Sequence, residues 1–310
     1  MMEVLYDLTN ETNFGGLEAH EEMLSDSVRV DAYHRGIHRN VRPGDVVLDL
    51  GTGTGLLAFM ASRAGAKKVY AVEHSDVVQV AREIARLNGF TNIEFVQENS
   101  REYTPPEPID VVVHEQMGDE LFNENLVQNL LDVRDRVLRP GGRILPARFR
   151  LFIEPVTMHA AMRVRRFWNI DLPDGIDLSA MEQSPVAARF DTGRNEQTWA
   201  RAGSVAATFA PPQPVLELDL DTLASAGALA TEFTIERTAS TDMIVDGTCV
   251  WFEAVFDDET VLSTSPLGTN TSWGNRMFRL DQEFAAGDRL RLGIHLGQLV
   301  DASTWTVSVL

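Results

Sequence analysis

Two groups of residues in this sequence have the types and spacings that chemistry needs. The first is His114-Glu115-Gln116-Met117-Gly118-Asp119-Glu120-Leu121-Phe122-Asn123-Glu124, in which Glu115 and Glu124 stand nine residues apart across a Met-Gly turn. Folded as a hairpin, the pair converges on one ligand; left open, it is a solvated acidic loop. Two clustered carboxylates repel each other, so an empty pocket of this kind is poised for a cation. The second group is Asp49-x-Gly51-x-Gly53-x-Gly55, followed by Glu73. A glycine loop lets the main chain approach a ligand closely and aims the amides of a helix N-terminus at it. Its third glycine comes one residue early for a dinucleotide site, and no Gly-Lys-Ser/Thr marks a phosphate loop. An acid about 20 residues after the first glycine can accept both hydroxyls of a ribose. A nucleoside without phosphate is the reading; a glycine turn in an unrelated α/β protein is the alternative.

The elements that must position these groups are legible around them. Val46–Leu50 is a continuous apolar run, as a strand buried on both faces requires. It leads into the glycine loop and then into a helical pattern of Leu56, Leu57, Met60 and Ala64 that ends near Gly65. Lys68–Glu73 reads as a second strand, and a helix is expected from Asp76, its cap, to Asn88, closed by Gly89. Strands at Ile93–Val96 and Ile109–Val113 continue the alternation, and a helix from Asn123 to Leu138 ends at Arg139-Pro140-Gly141-Gly142. The pattern predicts a doubly wound parallel sheet over roughly 40–146. After Pro146, short alternating runs separated by Gly, Pro, Asp and Ser predict an antiparallel barrel or sandwich, interrupted over about 158–200 by an inserted arm with a helical apolar pattern.

Composition bounds the partners. The 310 residues carry 27 basic and 46 acidic side chains, a formal charge of −19. Such a chain repels phosphate backbones and anionic lipid, so neither nucleic acid nor membrane is expected, whereas a cationic substrate is attracted. Seven acids and no Lys or Arg precede Arg29, whereas an acidic stretch over 217–259 with Arg237 alone to balance it reads as plain solubility. Cys249, the single cysteine, lies in Thr248-Cys249-Val250-Trp251-Phe252 and reads as a core thiol. No targeting or spanning segment is seen, nothing groups as a metal site, and a cytoplasmic protein is expected. Lys67 and Lys68 are the only lysines, a bias that points to a GC-rich bacterial genome.

These motifs resemble a known family. The glycine loop with Glu73, and Pro140-Gly141-Gly142 before a late strand, resemble class I methyltransferases that bind S-adenosylmethionine. Glu115, Met117, Gly118, Leu121 and Glu124 stand at the fixed positions of the double-glutamate loop of the protein arginine methyltransferases. His20-Glu21-Glu22-Met23-Leu24-x-Asp26-x-Val28-Arg29 is similar to the family's helix over the cofactor. Thr271-Ser272-Trp273 is similar to the Thr-His-Trp loop of its β-barrel, and Phe167-Trp168 with 175–179 to its dimerisation arm. The resemblance implies a helical cap (1–40), a Rossmann-like domain (41–147) and a β-barrel (148–310) with a helical dimerisation arm at about 158–200. It implies a homodimer that uses S-adenosylmethionine to methylate a guanidino group of arginine, free, in a small peptide or in protein. Glu115 and Glu124 are then catalytic. Arg29, Asp49, Gly51, Gly53, Gly55, Glu73, Ser100 and Glu115 bind cofactor, with Arg29 on its carboxylate; Met23, Gln116, Asp119, Ser272 and Trp273 face the substrate.

Several positions depart from the family pattern. Gln116 stands for a Trp and Asp119 for a Tyr, so an aromatic wall becomes polar. Ser272 stands for the His that, with the acid matching Asp26, helps remove the proton; His20 and His114 are candidate substitutes, unless the proton leaves to water. The acid after the third strand is replaced by Arg101, and the N-terminal tyrosine motif is not found at Tyr6. The changed wall and the composition fit a bacterial small-molecule-pathway relative. Methylation of another small molecule such as an indole, and an inactive scaffold, are the alternatives.

Overall fold

The computed structural model describes residues 16–163, 167–170, 172–190 and 196–310. They form two compact units, one of residues 1–150, 217–230 and 253–263, the other of residues 151–216, 231–252 and 264–310. Among the described residues no helix is long and apolar enough to cross a membrane.

The first unit opens with α1 (Leu17–Ser25) and α2 (Ser27–Asn40), separated by Asp26, whose carboxylate caps α2 by accepting from the Arg29 N–H at 3.0 Å. There follow β1 (Val46–Leu50), α3 (Leu56–Ala64), β2 (Lys68–Glu73), α4 (Val78–Leu87), β3 (Ile93–Gln97), β4 (Ile109–His114), α5 (Leu126–Val137) and β5 (Leu138–Leu145). The strands form a parallel sheet in the order β3-β2-β1-β4-β5. Every residue of β1 is buried, as are nearly all of β2 and β4, which is why these stretches read as unbroken apolar runs. The order reverses at β1, and beyond the carboxyl ends of β1 and β4 lies the crevice in which such sheets hold ligands.

Three local expectations are corrected. Asp76 does not cap α4: the helix starts after Val77, and the Asp76 carboxylate accepts from Gln97 Nε2 at 2.8 Å. Helix α5 starts at Leu126 instead of Asn123, because Leu121 and Asn125 take positive φ (76° and 55°) to close the glutamate loop. Arg139 to Gly142 belong to β5, which pairs with β4 at Leu138 and again from Arg143 and is irregular between.

After β5 the chain forms mainly antiparallel sheet. The later strands are β6 (Arg148–Met158), β7 (Gln197–Ala200), β8 (Val205–Thr208), β9 (Leu216–Asp219), β10 (Glu232–Thr238), β11 (Met243–Val255), β12 (Val261–Ser263), β13 (Asn275–Phe284), β14 (Arg289–His295) and β15 (Thr306–Val309). Most of this sheet lies in the second unit, with β12 and most of β9 in the segments that return to the first. One sheet runs β7-β13-β11-β6-β8, with β12 on β11 and β9 on β6; the other runs β10-β14-β15. The core contains Phe152 stacked on Trp251, with Val156, Met158, Met277 and the fully buried Cys249. Buried Glu154 is held by Arg237, whose Nε and Nη2 donate at 2.6–3.0 Å. The described parts of the arm are 3-10 turns at Ala160–Met162, Phe167–Asn169, Pro173–Gly175 and Ser179–Gln183 and one short helix, α6 (Pro185–Ala188). Pro173, Asp174 at φ 60° and Pro185 keep its turns from joining into a longer helix.

Candidate active site

A cavity opens at the carboxyl ends of the strands of the first unit, roofed by α1 and α2. After β1, Gly51, Gly53 and Gly55 have φ of 72°, 53° and 94°, a region that side-chain-bearing residues rarely adopt. A Cβ on Gly53 would stand 2.6 Å from the His20 ring, so the loop touches α1 there. Four of the loop's amides are engaged within the fold. Gly51 and Thr52 donate to the Val72 carbonyl at 3.0 and 2.9 Å, Gly53 to Glu73 Oε2 at 3.1 Å, and Gly55 to the Thr52 carbonyl at 2.8 Å. The glycines thus let a ligand approach the main chain closely.

Asp49 and Gly55 do not line the cavity; they build the loop behind it. Asp49 Oδ2 accepts from the Thr52 hydroxyl at 2.5 Å and the Ala58 N–H at 2.9 Å. Burial pushes the Asp49 carboxyl up to about 7, against those hydrogen bonds. Glu73 does line the cavity: its Oε1 accepts the Ser75 N–H at 2.9 Å and has His74 Nδ1 3.3 Å away, while its Oε2 accepts the Gly53 N–H and keeps a lone pair for a ligand. After β3 come Glu98, Asn99, Ser100 and Arg101, all in the wall. Glu98 is the first residue beyond β3, and Arg101 lines the same wall next to Ser100.

Glu115, Gln116 and Glu124 line the cavity after β4, and Met23 and Arg29 close it from α1 and α2. Arg29 Nη2 donates to Glu115 Oε2 and, at 3.1 Å, to Met23 Sδ. Burial draws the Arg29 guanidinium below its ordinary value, while Tyr33, Glu124 and Asp26 oppose this. Burial also raises the Glu124 carboxyl to about 7; Asp119 adds to the rise and Arg29 works against it. Asp119 acts through this charge and does not line the cavity. His114 is no candidate base, since it is fully buried outside the cavity wall, its Nε2 is 2.8 Å from the Pro146 carbonyl, and burial lowers it to about 4. His20 does line the cavity, against Gly53.

Ser272 and Trp273 belong to the second unit, where Trp273 packs edge-on against Phe252. Tyr6 lies outside the described residues, as does the side chain of Phe167. Sequence reasoning missed Tyr33, whose hydroxyl donates to the His114 carbonyl at 2.8 Å, and Asn129 on α5. Asn129 did leave a signal, as a polar residue within the buried stripe of Leu126, Leu130 and Val133.

Comparison with known proteins follows this geometry. A methyltransferase-domain model matches residues 42–194, and an arginine methyltransferase oligomerization subdomain model matches 148–298. Protein arginine N-methyltransferase 6 of Danio rerio is 32% identical over 276 residues, covering 87% of this chain and 78% of that protein. The chain belongs to the protein arginine methyltransferase family. PRMT10 of Oryza sativa subsp. japonica is 42% identical over 139 residues, 44% of this chain and 37% of that protein. Among solved structures, the Trypanosoma brucei PRMT1 enzyme-prozyme complex with AdoHcy aligns with a TM-score of 0.78 at 26% identity, covering 91% of this chain and 89% of that one. Arabidopsis thaliana protein arginine methyltransferase 10 aligns with a TM-score of 0.78 at 25% identity, over 96% and 97%.

This methyltransferase has the family's Rossmann-like domain and β-barrel, and S-adenosylmethionine is its cofactor. Its own residues fit that molecule: the glycine loop admits close approach, and Glu73 Oε2 retains acceptor capacity where a ribose belongs.

Proposed function

We propose that this methyltransferase methylates a guanidinium nitrogen of arginine in a protein or peptide. What carries the reading is the guanidinium of its own Arg29, ion-paired with Glu115 in the cavity that Glu124 also lines. A receptor that accepts one guanidinium in a buried acidic cavity has the charge and hydrogen-bond acceptors for another. The relatives reported above are eukaryotic proteins named for protein arginine, which favours a protein acceptor over a bacterial small-molecule pathway.

When bound, S-adenosylmethionine supplies an electrophilic methyl group. Glu73 would hold its ribose, with Gly51, Gly53 and Ser100 lining its berth and Arg29 and Met23 at its amino-acid end. Glu115 and Glu124 would grip two edges of the acceptor guanidinium and aim the remaining nitrogen, which is orientation more than activation. The exposed Ile176, Val186 and Phe190 of the arm fit a dimer contact, in line with the oligomerization model over 148–298.

The test is a methyl-transfer assay on an arginine-containing protein, an arginine-rich peptide, free arginine and an indole, read by mass. Methylated arginine in protein or peptide is expected, with Glu115→Gln and Glu124→Gln each losing about 100-fold or more in kcat/KM, as for loss of a charged positioning contact. Transfer to the indole alone, or unchanged activity in both variants, rejects the reading.

A further inference from the structure

Two primary amides meet in the cavity wall beside the glutamates, and the hydrogen bonds fix which way each one faces. Asn129 Nδ2 lies 3.4 Å from the main-chain carbonyl of Glu124 and 3.4 Å from Gln116 Oε1. A main-chain carbonyl only accepts, so Asn129 must turn its NH2 group toward it. The same NH2 group then reaches Gln116, which must present its own carbonyl oxygen in return. That leaves Gln116 Nε2 and its hydrogens facing the cavity over Gly51, 3.9 Å from where a Cβ on that glycine would stand.

The sheet order says what part of the cofactor lies there. Glu73 ends β2 and Glu98 follows β3, whereas Gly51 follows β1 and Gln116 follows β4. With the order β3-β2-β1-β4-β5, a nucleoside held at Glu73 extends its remaining atoms over β1 and β4. On S-adenosylmethionine those atoms are the amino-acid end, whose acceptor is a carboxylate. Arg29, ion-paired there with Glu115, is the cation for that carboxylate, and with Glu115 and Glu124 in the same wall a fixed neutral donor adds to what Arg29 supplies.

We propose that Gln116, held in its donor orientation by Asn129, binds the carboxylate of the cofactor. Gln116 is then a cofactor-binding residue, where the sequence placed it on the substrate, and Asn129 is its positioning residue. The inference is independent of which acceptor is methylated.

Calorimetry on the full-length protein tests it with S-adenosylmethionine and its decarboxylated analogue, no acceptor being present. The wild type is expected to prefer the carboxylate-bearing ligand. Gln116→Leu lowers that preference roughly tenfold, the size of one hydrogen bond to a charged group. Gln116→Glu, nearly isosteric, lowers it further by setting a carboxylate against a carboxylate. Asn129→Leu lowers it several-fold by freeing Gln116 to turn. Thermal melts identify any variant that fails to fold, and the isosteric Gln116→Glu keeps the question open to an answer. An unchanged ratio of affinities in folded Gln116 variants overturns the proposal.

Discussion

Glu124 works at the edge of its own ionisation. Burial pushes its carboxyl from the ordinary 4.5 up to about 7, with Arg29 opposing the rise and Asp119 adding to it. Capture of a guanidinium needs the ionised form, so kcat/KM for a cationic acceptor should rise with pH to a plateau above 7. Asp119→Asn removes the like charge and moves that rise to lower pH by a fraction of a unit to about one unit. Parallel pH profiles check this, and coincident profiles reject it. The sign for stability is opposite: between 4.5 and about 7 the folded carboxyl holds a proton that the unfolded one has lost, so this group's contribution falls as pH rises through that window. The two glutamates, Arg29 and Met23 could be read from sequence because each sits in a short local motif. Tyr33 could not be assigned because its partner, the His114 carbonyl, comes from another element, and the polar interruption at Asn129 marks a buried group without naming what it meets.

At the scale of elements, α2 carries Arg29, Tyr33 and Gly36, and what holds it in place lies far along the chain. The Tyr33 ring meets Phe256 edge-on with centroids 5.0 Å apart, and a Cβ on Gly36 would stand 2.3 Å from Phe256 Cδ1. Gly36→Ala should therefore destabilise by about 1–2 kcal/mol, overpacking outweighing the better helix propensity of alanine. A thermal melt should show a drop of several degrees, partly restored by Phe256→Leu; a melt at or above the wild-type temperature contradicts it. The strands of the parallel sheet were legible because burial on both faces demands apolar runs. Helix starts were less so: the onset of α5 depends on the loop before it, and α4 begins without the Asp76 cap that local propensity offered. The apolar pattern in the arm suggested longer helix than forms, because solvent-facing partner contacts and core contacts select the same residue types.

For the whole molecule, the charge of −19 acts at a distance. Arg237, the one basic residue of the acidic stretch, is folded against Glu154, so it does little to neutralise the surface around it. A cationic acceptor should then show a KM that rises with salt, measured between about 0.05 and 0.5 M where screening tightens from roughly 14 to 4 Å. A flat dependence removes steering from the account. The arm gives a second test. Phe190 is 76% exposed, and Phe190→Asp should lower the mass seen in light scattering from that of an oligomer toward that of a single chain. An unchanged mass places the contact elsewhere.

The chain returns twice to its first unit, at 217–230 and 253–263, and the second return brings the Phe256 on which α2 rests. Such threading ties inheritance to architecture. A gene fragment ending near Arg150 encodes a cofactor cavity without one of the supports of its roof, so recombination at that joint would rarely yield a working enzyme. The two halves are therefore expected to travel together through gene duplication and transfer, and an engineer who wants a new barrel must graft around these returning segments instead of cutting once.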